Sequence, residues 1–196
     1  MKAFSAVGER VPIIDGKEKV TGEAKYASDL KFPHMLYGKI LRSPHAHAKI
    51  VNIDVHRAKK LPGVKVVITA NEAPKTKWGA FIQDQTLFGI DKVRYIGEEV
   101  VAVAAVAEYI AEEALGLIQV DYEPLPAIFD PEEAVLQGAP LIHEAARDNI
   151  ALRLEFNRGD VVKGFEESDH VFEERFTTSL VHQCYTEPTA SIASAD

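Results

Sequence analysis

His45 and His47 stand one residue apart in Arg42-Ser-Pro-His-Ala-His-Ala48. On an extended strand alternate side chains point to one face, so metal binding is the first chemistry to weigh. A catalytic zinc takes three protein ligands and an open position, and a structural zinc takes four. His56 supplies a third imidazole nearby, which makes a free-standing metalloprotein on His45, His47 and His56 one hypothesis. His34, His143, His170 and His182 are scattered singly, and no His-Glu-x-x-His, Cys-x-x-Cys or clustered acidic loop accompanies the pair. Two ligands do not make a site, and the pair reads instead as a hydrogen-bonded turn or an interface.

Other reactive groups are equally isolated. The carboxylate pairs Glu98-Glu99, Glu112-Glu113, Glu132-Glu133, Glu166-Glu167 and Glu173-Glu174 are adjacent in sequence. Adjacent residues do not face each other on a helix and point oppositely on a strand, so these pairs read as solvated surface and not as acid/base dyads. Glu187 lies near His182 and Gln183 but has no defined partner. No serine sits in a Gly-x-Ser-x-Gly elbow. Gly97 precedes an apolar run without a Gly-x-Gly-x-x-Gly turn, and no phosphate-binding loop is present. Arg158-Gly159-Asp160 reads as a turn and helix cap. Cys184 is the single cysteine; it reads as buried and structural at a strand end, and it excludes an internal disulfide and a self-contained iron–sulfur cluster, which takes about four thiolates.

The elements that would position these residues follow from periodicity. Residues 35–42 and 50–53 suit strands, Asp54 is a plausible cap for a short helix carrying Val55, Ala58 and Leu61, and Val64 to Thr69 reads as a buried strand. The near-continuous apolar run from Glu99 to Val106 predicts a strand covered on both faces. Ala107, Ile110, Ala111, Ala114, Leu115 and Ile118 recur at helical spacing, and Val120-Asp-Tyr122 returns to strand. Two strand–helix–strand units are therefore expected as βαβ crossovers with parallel strands in a mixed sheet. Residues 71–92 predict a long loop packed by Trp78, Phe81 and Phe88. A short acidic helix is expected around Glu132 to Leu136, another after Asp160, and strands at Val171 to Val181 and Ala190 to Ala193.

With 46% apolar and 27% charged residues the chain has a globular composition, and its formal charge of −8 without a basic run gives no footprint for nucleic acid. No signal-peptide core or membrane-length apolar stretch is visible, so a cytoplasmic location is the default expectation.

A set of short motifs occurs in a fixed order: Val11-Pro-Ile-Ile-Asp-Gly16, Lys19-Val-Thr-Gly22, Ala24-Lys-Tyr26, Leu36-Tyr-Gly38, Leu41-Arg-Ser-Pro-His-Ala-His-Ala48, Leu61-Pro-Gly-Val64 and Val93-Arg-Tyr-Ile-Gly-Glu98. Ala111-Glu-Glu-Ala114, Val120-Asp-Tyr-Glu-Pro-Leu-Pro126, Pro131-Glu-Glu-Ala134, Gly159-Asp160 and Glu187-Pro188 continue it. Collinear over nearly the whole chain, they resemble the start of the molybdenum-binding large subunit of the xanthine dehydrogenase/aldehyde oxidase family, 4-hydroxybenzoyl-CoA reductase-like members included.

The resemblance implies an α/β (α+β) fold, the a/b hammerhead, with an N-terminal extended segment at 1–20, the hammerhead at 21–140, and a linker with the start of the molybdopterin-binding domain at 141–196. It implies an oxidoreductase acting on an aldehyde, a purine or other N-heterocycle, or an aromatic CoA thioester. Molybdenum-molybdopterin would be held outside this chain, with 2Fe-2S and FAD on other chains or segments. No catalytic, cofactor or metal residue carries over, and the chain alone is expected to be inactive. Where the family has His-x-x-Met-Glu-Pro, this sequence has Gln183 at the histidine position, preceded by His182, and Thr186 in place of methionine. Arg42, His45, His47, Arg94 and Glu98 are the interface residues expected to face the molybdopterin domain and the iron–sulfur or FAD subunits. Self-association through the truncated edge strand is expected too. The alternative is an independent binding or assembly module without enzymatic activity.

Overall fold

The computed structural model describes residues 7–8 and 10–195. They divide into two compact units, one of residues 34–160 and one combining residues up to 33 with those from 161 onward.

The 34–160 unit is built on six strands, β1 (Tyr37–Arg42), β2 (Ala48–Asp54), β3 (Val64–Thr69), β4 (Lys92–Val93), β5 (Glu99–Ala105) and β6 (Gln119–Pro124). They form two three-stranded sheets, in the orders β1-β5-β3 and β4-β2-β6. The unit's longer helices, α2 (His56–Lys60) and α3 (Glu108–Gly116), link strands of different sheets. β5 is central because its sequence is apolar on both faces: Val100, Val101, Val103 and Ala105 are buried. Ala111 and Ala114 of α3 and Ala58 of α2 bring small side chains into the same core, which lets the helices lie close to the sheet.

Every ladder is antiparallel. The strand–helix–strand order is as expected, and the α+β class stands, but the parallel βαβ crossovers and the mixed sheet do not. The helices deliver each following strand into the other sheet, so neither unit returns to pair beside its first strand.

A second consequence concerns the connections without helices. β1 pairs with β5 and β2 pairs with β4, while β1 leads into β2 and β4 leads into β5. The runs 37–54 and 92–105 therefore make one antiparallel pair that bends from one sheet into the other. The bend consists of residues 43–47 facing residues 94–98, bounded by the register pairs Arg42 with Glu99 and Ala48 with Val93.

Asp54 accepts the N–H of His56 at 2.9 Å, although helical geometry begins one residue later than expected, with Val55 at the N-cap position. Helix α4 (Pro131–Ala134) begins at Asp130, whose carboxylate accepts the Glu132 N–H, with Pro131 supplying a preset φ. In the 71–92 loop Phe88 is buried, but Trp78 and Phe81 are exposed, so one aromatic, not three, packs the loop.

The other unit holds α1 (Gly16–Thr21), a short 3-10 turn at Ala27–Asp29 and α5 (Val161–Glu166). The segment expected as extended over 1–20 falls partly outside the described residues and otherwise ends in α1. That helix is stabilised by Lys19 pairing with Asp15 at 2.7 Å and closed by Gly22 in the left-handed region (φ 75°). Residues 171–181 and 190–193, expected as strands, form no ladder among the described residues. They have strand composition, and Phe172 and Phe176 stand 88% exposed.

Candidate functional site

The five expected interface residues, Arg42, His45, His47, Arg94 and Glu98, all lie at the bend of the 34–160 unit. Ser43 donates its N–H to Glu98 O at 2.8 Å, and Gly97 donates its N–H to Ser43 O at 2.8 Å. Around this pair of backbone bonds the side chains close a clasp. Arg42 Nη1 donates to Gly97 O at 2.8 Å and pairs with the Glu99 carboxylate. Glu98 Oε2 turns back to accept the N–H of Arg94.

Ser43 Oγ accepts the N–H of His45 at 3.0 Å, a local hydrogen bond that fixes the turn after Arg42. His45 then lies against Tyr122 of β6, ring centroids 4.9 Å apart and tilted by 59°. His47 is buried, and its Nδ1 lies 2.6 Å from Pro126 O. A carbonyl only accepts, so Nδ1 is the donor. Nε2 is itself buried and unpartnered. His56 binds Asp54 instead, Nδ1 to Oδ1 at 2.9 Å. The three imidazoles of the metalloprotein hypothesis thus face three different partners, and among the described residues no group of three or more His, Cys, Asp or Glu is arranged to hold a metal ion.

Arg94 reaches the other way. Its side chain is 16% exposed, its Nε donates to Ile142 O at 2.9 Å, and Nη2 lies 3.4 Å from Glu144. Lys92 pairs with the same Glu144 carboxylate. The Lys92 hydrogen bond first, then the residue's own backbone N–H, with the Arg94 charge adding least, hold that carboxyl down at about 2, a depression damped by solvent because the Glu144 side chain is 64% exposed. Glu98 shifts the opposite way: burial raises its pKa, against the lowering effect of the Arg94 N–H. Glu98 and Glu99 are both partly buried, so the reading of this pair as solvated surface is corrected.

Three of the five residues, His47, Arg94 and Glu98, are therefore spent inside the unit, while Arg42 and His45 remain partly accessible. The sequence did not assign Tyr122, Pro126, Glu99 and Glu144 as their partners, because each lies about 50 residues or more along the chain from the residue it meets. The pair of His143 Nδ1 and Asp84 Oδ2, 3.1 Å apart, was equally invisible.

Cys184 is exposed and free, with φ 49°, and not the buried strand-end cysteine expected. Its N–H donates to His182 Nδ1 at 3.0 Å, which commits His182 to a local turn.

Residues 21–126 match the family model "Aldehyde oxidase and xanthine dehydrogenase, a/b hammerhead domain". The chain belongs to that family. Residues 142–196 match a second model, "Molybdopterin cofactor-binding domain". The hammerhead chain is 45% identical over 180 residues to a probable xanthine dehydrogenase subunit of Bacillus subtilis, covering 91% of this chain and 24% of that protein. It is 35% identical over 196 residues to the nicotinate dehydrogenase large molybdopterin subunit of Eubacterium barkeri, covering 100% of this chain and 46% of that one. Among solved structures it resembles reconstituted CO dehydrogenase from Oligotropha carboxidovorans with TM-score 0.66 and 37% identity, over 72% of this chain and 18% of that chain. The hammerhead chain thus spans less than half the length of these relatives.

Proposed function

We propose that this hammerhead chain serves within a molybdenum hydroxylase large subunit, where it braces the molybdopterin domain, lines the approach to its substrate site and contacts iron–sulfur and flavin subunits. What supports the reading is the tandem of matches, hammerhead over 21–126 and molybdopterin domain over 142–196, in one chain and in that order. The proposed division is an N-terminal segment to residue 20, the hammerhead from 21 to 140, and the opening of the cofactor domain from 141. The whole enzyme, on this reading, oxidises or reduces an electrophilic carbon of an aldehyde, an N-heterocycle or an aromatic thioester in the cytoplasm. Among the described residues no helix is long and apolar enough to cross a membrane.

The residues present do not fit the molybdenum cofactor. Side chains from 151 to 195 are exposed and build no cradle, and His182, the imidazole nearest the family's histidine position, is already bonded to its own turn. On the proposed reading other parts of the enzyme hold the cofactor, and no catalytic step is assigned to this chain. Iron–sulfur clusters likewise need thiolates beyond Cys184.

Within that frame the clasp is a structural device. Arg94 and Glu98 fix the bend, and this orients Arg42 and His45, the proposed contacts with neighbouring domains. Loop residues 78–88, with Trp78 and Phe81 exposed, provide the aromatic surface proposed to border the substrate approach. The test is molybdenum and pterin analysis of the purified chain, together with turnover on aldehyde and N-heterocycle substrates with a dye acceptor. No molybdenum and no turnover are expected. About one molybdenum per chain, with turnover, would overturn the assignment of the cofactor to other residues.

A further inference from the structure

A cleft of about 990 Å³ in the 34–160 unit lies between two walls of unequal firmness. One wall, residues 142–149, is cross-braced. Ile142 O accepts from Arg94, Ile142 N–H donates to Asn149 Oδ1 at 2.9 Å, and Asn149 Nδ2 donates to Ala134 O at 2.8 Å and Pro140 O at 2.9 Å. The other wall, residues 78–88, is a loop whose bonds close on itself: Trp78 and Gln85 exchange backbone bonds of 3.0 Å, and Thr86 Oγ1 donates to Phe88 O at 2.8 Å. Its base is seated by buried Phe88 and by Gly89 N–H donating to Glu99 O at 2.8 Å, whereas its tip, Phe81, is 71% exposed. Between the walls stand Asp84 and His143, 3.1 Å apart and only 18% and 31% exposed.

We propose that the Asp84–His143 pair is a latch that holds loop 78–88 against the 142–149 segment and thereby sets the opening of the cleft. The firm wall presents the imidazole, the loop presents the carboxylate beside Gln85 of its own bridge, and the bond ties that bridged loop to the firm wall. The latch does not depend on which molecule enters the cleft.

Its chemistry makes it sensitive to acid. Burial pushes His143 below its ordinary value, and Arg94 and Lys92 push the same way, while Asp84 and Glu144 oppose them. Tyr95, Glu98 and Glu99 line the same cleft. The closed latch therefore holds a neutral imidazole that donates Nδ1–H to Asp84. Opening exposes His143 and restores its ordinary value of 6.5. The open form takes up the proton more readily, so the closed form is fully favoured above that value and loses ground as pH falls toward the depressed one.

Trp78, the only tryptophan in the chain, reports on the loop directly. In the full chain, Asp84→Ala is expected to raise acrylamide quenching of Trp78 roughly twofold with far-UV circular dichroism unchanged, and Asp84→Glu to restore it. Wild type is expected to become more quenched from about pH 8 to about pH 5.5, and His143→Gln to lose that response. Unchanged quenching in Asp84→Ala, or a wild-type pH response in His143→Gln, would overturn the latch. Hydrogen exchange of the wild type, corrected for intrinsic rates, needs no variant. Acid should open 78–88 while sparing β5, and equal protection of 78–88 at both pH values would also overturn it.

Discussion

Replacing Arg94 by alanine should loosen the whole bend, and the size of the effect can be worked from its contacts. The Nε bond to Ile142 O is 2.9 Å long and made by a side chain only 16% exposed. A hydrogen bond from a charged donor in such a place contributes about 1.5–3 kcal/mol, and its loss also leaves a carbonyl unsatisfied. The contact with Glu144, at 3.4 Å to a carboxylate side chain 64% exposed, adds only about 0.2–1 kcal/mol. Arg94→Ala should therefore cost about 2–4 kcal/mol, read by urea unfolding with Trp78 fluorescence and circular dichroism. Arg94→Lys keeps the charge but loses the fixed Nε–H, and should recover no more than the ion-pair part, about 1 kcal/mol. A loss below about 0.5 kcal/mol in Arg94→Ala, or a lysine variant as stable as wild type, would refute the claim that this hydrogen bond locks the bend.

Glu98 offers a sharper contrast. Its folded pKa is raised by burial, so stability falls as pH rises from the unfolded carboxylate value through the folded one. Glu98→Gln keeps an oxygen for the Arg94 N–H and should be neutral or stabilising by up to about 1 kcal/mol at pH 7, whereas Glu98→Ala should cost about 1–3 kcal/mol; urea melts at pH 7 and pH 4 separate the two. Glu144 carries the opposite sign. Its value of about 2 means that its contribution is present above the ordinary value of 4.5 and is lost as pH falls between the two, an acid slope of less than about 1 kcal/mol that Glu144→Gln should remove. At Gly79 (φ 149°) a Cβ would stand 1.8 Å from Ile82 O, so Gly79→Ala should break the Trp78–Gln85 bridge and shift Trp78 emission while β5 stays protected from exchange. The exposed apolar side chains of residues 171–181 should make the isolated chain self-associate, with Phe176→Lys lowering the mass seen by light scattering.

How much of this was legible in the sequence depends on how local each signal is. The apolar run 99–106 gave β5, and Val64 to Thr69 gave β3 to the residue, because alternation and burial are written within a few positions. Strand partners are not written there. A helix between two strands usually returns the chain to the same sheet, and here it carries β3 and β6 into the opposite one, so the parallel crossover failed on topology and not on element type. Arg42, His45, His47, Arg94 and Glu98, chosen as interface residues, fall in one neighbourhood because both stretches flank strands that pair, and their contact with other domains stands as a proposal. The resemblance could not say that His47, Arg94 and Glu98 are engaged inside the unit in holding the turn. Val171 to Val181 failed for the converse reason: strand propensity needs a ladder to act on.

The central claim is that residues 34–160 brace a cofactor domain they do not contain. The direct measurement grafts this chain in place of the corresponding segment of the full-length Bacillus subtilis relative and compares molybdenum content with and without residues 34–160. The account predicts about one molybdenum per grafted subunit, and its loss when those residues are removed. A subunit lacking residues 34–160 that keeps its molybdenum and its turnover would contradict it.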